Sequence, residues 1–140
     1  MTFPLAGLLR VRSAQERVAA EQASRARTER MQAEEAEQGA VTSLADLGVQ
    51  IEDASTLMAL AAARAAGRSA LSDLQTLSEL RRAEEAEATA SHVEARRELK
   101  GLERLEHSHR AESEKAELRA EQAALDEIAV VRSLHDGSAA

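Results

Sequence analysis

The side chains in this sequence best suited to metal binding or proton transfer are four histidines, His92, His107, His109 and His135, set among many carboxylates. Glu106 and His109 stand three residues apart, so a helix would carry both on one face. That is half of the carboxylate–histidine arrangement found in di-metal helix bundles. A full site needs a second such pair and two more carboxylates on facing helices, and no second pair occurs, so no metal ligand is expected. Ser108 lies between two histidines on what reads as continuous helix, with no rigid pocket to raise its nucleophilicity. There is no cysteine, hence no disulfide, thiolate nucleophile or thiolate metal site, and no sign of an oxidising compartment. The six glycines are scattered rather than gathered into a phosphate-binding loop. No catalytic residue, cofactor or small-molecule substrate is expected, because an elongated helical chain offers no water-excluding concavity.

The elements that would position these side chains follow from composition. Phe3 is the sole aromatic residue, and 31 of the 140 residues are Ala. Burial stabilises at roughly 25 cal/mol per Å² of apolar surface, so an Ala-rich seam gains little per turn but lets helices approach closely. Ala, Glu, Arg, Leu and Gln dominate, all good helix formers, and this mixture marks a coiled coil or long helix. No stretch reaches the 18 apolar residues of a membrane span. The opening "MTFPLAGLLRVR" lacks the basic lead and small-residue cleavage site of an export signal, so a cytoplasmic protein is expected. The net charge of −7 disfavours nucleic acid, whose phosphates call for clustered Lys and Arg.

Pro4 suits a helix start, where its missing N–H costs nothing. Gly39 and Gly48 each weaken a helix by about 1 kcal/mol without ending it. The best break is "RAAGRSALSDLQ", residues 64–75. Gly67 could take a left-handed cap, and Ser69 or Ser72 could start a new helix, Ser72 and Gln75 having capping-box spacing. The expected fold is therefore all-α: one antiparallel two-helix coiled-coil hairpin over residues 1–140. Helix 1 would span about 4–65, the turn about 66–70 and helix 2 about 71–134, with a frayed tail at 135–140. In that register partners' numbers sum to roughly 135, setting Arg10, Arg12 and Arg17 beside Glu117, Glu121, Asp126 and Glu127. The basic end would face the acidic end. The glutamate runs "AEEAEQ" and "RRAEEAEA" read as solvated faces.

The apolar stripes are thin. In helix 2, Leu71, Leu74, Arg81, Ala88, Ala95, Leu99, Leu102, His109, Ala116 and Ala123 keep close to a 3–4 repeat. Leu118, Leu125 and Ile128 form a displaced stripe, which implies a stutter or weak supercoiling near the C-terminal end. Helix 1 offers Leu5, Leu8, Leu9, Ala19, Ala26, Ala33, Ala40, Leu44, Leu47 and Ile51. Leu71, Leu74, Leu77 and Leu80 step by three residues, so they cannot all face one partner. With Leu57, Met58 and Leu60 nearby, they either close the turn or form an apolar patch for another protein.

Two end segments carry a family likeness. "FPLAGLLRVRSAQERVA" sets out Phe3, Leu5, Leu8, Leu9, Arg12, Glu16 and Ala19. "LERLEHSHRAESEKAELRAEQAALDEIAVVR" carries Leu102, Glu103, Leu105, Glu106, Glu121, Gln122, Leu125, Asp126, Glu127, Ala129 and Arg132. Together they resemble the flagellar export protein FliJ family over nearly the whole length, although the aromatic residues many members carry near the tip are missing here.

The resemblance implies a non-enzymatic coiled-coil stalk of the flagellar type III export apparatus. It would be cytoplasmic and peripherally associated with that apparatus at the inner membrane. Its partners would be the hexameric export ATPase, the export-gate membrane protein and export chaperones. On that likeness the paired termini, with Phe3, Leu5, Leu8, Leu9, Arg12, Glu121, Gln122, Leu125, Asp126, Glu127 and Arg132, would form one narrow tip that docks into the ATPase ring. Leu74, Leu77 and Leu80 are candidate gate or chaperone contacts. The rival readings are a generic coiled-coil spacer or adaptor, a stalk of a virulence-type secretion system, and a helical hairpin that opens on lipid, the last disfavoured by the small apolar faces.

Overall fold

A computed structural model describes residues 2–47 and 52–138. Two helices, α1 (Ala6–Ala45) and α2 (Ala54–Ser138), account for the secondary structure and pack against each other as an all-α hairpin. The expected class therefore holds, but the expected turn does not. The chain reverses between Ala45 and Ala54, and residues 66–70 lie inside α2. Gly48 and Ile51 lie outside the described residues.

The helix ends explain where the reversal falls. Ahead of α1, Pro4 sits in a turn closed by the Ala6 N–H on the Phe3 carbonyl at 3.1 Å. At the other end of α1 the ladder loosens, with Leu47 N–H reaching the Leu44 carbonyl at 3.4 Å. Arg64 from α2 donates to the free Leu47 carbonyl at 3.3 Å, a cationic cap on α1's negative end. Asp53 starts α2 by accepting the Thr56 N–H at 2.7 Å, which satisfies one of the orphan donors of the first turn. That hydrogen bond from the Thr56 backbone holds the Asp53 carboxyl below its usual range.

Gly67 is no cap. Among the described residues no glycine has positive φ, and the Ala-rich run ahead of Gly67 carries the helix through it. A Cβ there would lie 2.9 Å from Leu44 Cδ1, so the absent side chain makes room for Leu44. Ser72 is likewise mid-helix, its carbonyl accepting the Thr76 hydroxyl at 3.1 Å.

The chain divides into two compact units, residues 14–96 and residues 1–13 with 97–140. In residues 14–96 the segments run antiparallel, with Glu16 against His92, Glu29 against Arg81 and Leu44 against Gly67. Besides Thr56 and Glu84, the sheltered positions of α2 there are Leu60, Gly67, Leu71, Leu74, Ser78, Arg81, Glu85, Ala88, His92 and Ala95, a regular 3–4 alternation from Gly67 onward. From α1 they meet Ala19, Ala23, Ala26, Arg30, Ala33, Glu37, Ala40, Leu44 and Leu47. Among the described residues only Ala19, Ala33, Leu60 and Ser78 are buried, so small residues at the seam allow a close, thin contact rather than a thick core.

In residues 1–13 with 97–140, the Phe3 ring meets the His109 ring at a tilt of 58° with centroids 5.5 Å apart, and Arg12 bonds Glu98 at 2.6 Å. Leu9, Leu99, Leu102, Glu106 and His109 are half-sheltered. From residue 114 to residue 138 every position of α2 is exposed. The expected seam members Ala116 and Ala123 thus face solvent.

Candidate functional site

The polar groups of the sequence fall into two settings. The first is a cross-helix ion cluster at the middle of residues 14–96. Arg81 joins Glu29 at 3.1 Å and Glu84 at 2.7 Å, Arg82 joins Glu34 at 2.9 Å, and Arg30 joins both Glu34, at 2.6 Å, and Glu85. Apart from the exposed Arg82, these side chains are half-sheltered, so solvent screens their pairs less than at an open surface. The Arg82 hydrogen bond, with help from Arg30, holds the Glu34 carboxyl below its ordinary value. Glu84 and Glu34 in turn raise Arg81 and Arg82.

The two glutamate runs are therefore only partly solvated faces. Glu35 and Glu87 face water, whereas Glu34 and Glu85 tie the helices together and Glu84 holds Arg81 along α2. The cluster fixes register: a one-residue slip would separate the cross-helix pairs Arg81–Glu29, Arg82–Glu34 and Arg30–Glu85, while an all-Ala seam would tolerate several alignments. His92 adds a further polar layer, its Nε2 lying 2.9 Å from Glu16 Oε1.

The second setting is the end of α2. The expected tip puts Phe3–Arg17 beside Leu118–Arg132, and the structure places them apart in register. Because the reversal comes about twenty residues earlier than expected along the repeat, the Phe3 ring meets His109, and Arg12 meets Glu98 instead of an acid near residue 121. Phe3, Leu9 and Arg12 are spent on the two-helix contact, while Leu5 and Leu8 look outward. Glu121, Gln122, Leu125, Asp126, Glu127 and Arg132 stand together on the bare helix. Leu118, Leu125, Ile128 and Val131 are between 53% and 64% exposed there, which is high for side chains of this size. Gln122 bonds Asp126 at 2.8 Å along the helix.

Glu106 is engaged with Arg110 at 3.4 Å, and His109 with the Phe3 ring. Among the described residues no group of three or more His, Cys, Asp or Glu side chains could hold a metal ion. The leucine series splits as its spacing requires. Leu71 and Leu74 enter the seam, whereas Leu77 and Leu80 remain on the exposed side.

Sequence reasoning missed the ion cluster and the bare helix. The signal for both was the 3–4 repeat itself. It runs back through Ser78 and Gly67 to Leu60, which places residues 60–70 within the second helix, and "DAST" at residues 53–56 is an N-cap pattern.

Among the described residues no helix is long and apolar enough to cross a membrane. A family model described as Flagellar FliJ protein matches residues 1–138. No curated protein and no solved structure matches the chain.

Proposed function

The chain belongs to the flagellar FliJ protein family, and from that membership we propose that it is a stalk or adaptor of the type III export apparatus that docks on the hexameric export ATPase. The family is a non-enzymatic component of flagellar protein export. The hydrolysis belongs to the ATPase, and this chain supplies a binding surface. The observation that carries the reading is the match across residues 1–138.

Where docking occurs is argued from the bare end of α2. A single helix, about 10–12 Å wide with its side chains, is slim enough to enter a ring lumen, and its apolar residues are exposed. The docking face comprises Glu121, Gln122, Leu125, Asp126, Glu127 and Arg132. Leu5 and Leu8 lie at its base, which Phe3, Leu9 and Arg12 fasten to α2. Leu77 and Leu80, exposed on the other unit, are the residues we assign to the export-gate protein or a chaperone. Leu74 supports them from the seam.

The test is ATP hydrolysis by the purified export ATPase with the full chain added. Stimulation is expected from the native sequence. Reversal of both Asp126 and Glu127 to Lys should abolish it while circular dichroism stays unchanged, since both side chains are exposed. Undiminished stimulation by the reversed chain would remove Asp126 and Glu127 from the docking face.

A further inference from the structure

The bare end of α2 carries a second pattern, independent of the docking proposed above. Its apolar residues do not continue the seam that α1 occupies. Leu118 comes five residues after half-sheltered Ser113, so at about 100° per residue it is turned about 140° away. From Leu118 a separate heptad stripe runs through Glu121, Leu125, Ile128, Arg132 and His135. Gln122, Ala124, Ala129 and Val131 flank it, so no charge borders its centre. All of these positions are exposed, and among the described residues neither Glu121 nor Arg132 makes an ion pair.

We propose that a second copy of this chain covers this stripe, the two bare helices pairing antiparallel through Leu125 and Ile128. Paired antiparallel, the two stripes are complementary in charge. In an antiparallel coiled coil each first core position of a heptad faces a fourth position of the other helix. Placing Leu125 against Ile128 of the second copy also sets Leu118 against His135 and Glu121 against Arg132. One step outward, Lys115 falls beside Asp136. Every cross-pair is thus apolar, neutral or opposite in charge, and the twofold axis makes each occur twice. A parallel pair would set Glu121 against Glu121 and Arg132 against Arg132, which is unfavourable on both counts.

In this register Ser138 of the second copy lies beside Lys115, and every position from 114 to 138 that the pairing uses is exposed. Leu125 and Ile128 would be covered in the pair, so self-association and entry into another protein would exclude each other.

The test is sedimentation equilibrium of the full chain, read by interference optics because the sequence has no Trp or Tyr. Concentrations from about 5 to about 500 μM span the range in which so small an interface should half-associate. The native chain should pass from monomer to dimer mass. Glu121→Arg alone and Arg132→Glu alone should each weaken association at least tenfold, because each sets like charges together twice. An equal mixture of the two variants should form heterodimers, and the double variant should recover native association. A native chain monomeric throughout, single variants that associate as the native chain does, or a mixture that stays monomeric would each overturn the proposal. The assay contains no ATPase, so its failure leaves the proposed function standing.

Discussion

Ser78 is the most enclosed side chain among the described residues, and its hydroxyl has no hydrogen-bond partner among them. The site tolerates it because a small residue there lets the helices close on each other. Alanine would keep the volume, remove a desolvated hydroxyl and improve helix propensity. Ser78→Ala should therefore raise stability by about 1 kcal/mol in urea titrations followed by circular dichroism. A loss of stability would mean that the hydroxyl is bonded in solution. Gly67 teaches the complementary lesson. Its residue type was legible but its role was not, since a glycine that caps a helix and one that admits Leu44 look alike until the partner is known. The cap that matters, Asp53, was equally visible in the sequence, but a carboxylate before "AST" is a weaker mark than a glycine amid serines.

The two helices differ in length by a factor of about two, and this decides which segments have tertiary support. Helical class, antiparallel sense and most of the seam could be read from the 3–4 spacing of Leu71, Leu74, Ala88, Ala95, Leu99 and Leu102. The position of the reversal could not, because short Ala-rich helices can be aligned in several registers at nearly equal cost. The displaced stripe at Leu118, Leu125 and Ile128 was read as a stutter in a continuing coiled coil, whereas it marks the point where α2 has outrun α1. Residues 114–138 are held helical by propensity and by local bonds such as Gln122 to Asp126. Amide hydrogen exchange should accordingly be at least tenfold faster over 118–134 than over 74–92, where the ion cluster and Ser78 lie. Equal protection in dilute solution would mean that the end of α2 is covered by something the monomer does not contain.

For the whole molecule, the charge blocks were correctly counted but wrongly paired. Residues 1–30 carry an excess of positive charge and residues 103–140 an excess of negative charge, and the reading that they neutralise each other presumed a symmetric hairpin. With the reversal before Ala54, Arg12 is satisfied by Glu98 and Arg30 by Glu34 and Glu85. The acids from Glu114 onward are exposed on α2. The family assignment depended little on this register, because the likeness lies in the sequence of the end segments themselves. The docking face depended on it wholly, which is why the eleven residues first grouped as one tip separate into a fastened base and a bare helix.

The most direct measurement is a paired affinity capture from native extract, using the full chain and the chain ended after Ser113, with bound proteins identified by mass spectrometry. The account predicts that the flagellar export ATPase is retained by the full chain and lost from the shortened one, whose two-helix region remains folded. Equal recovery of the ATPase by both would contradict it and move the docking surface to the paired helices.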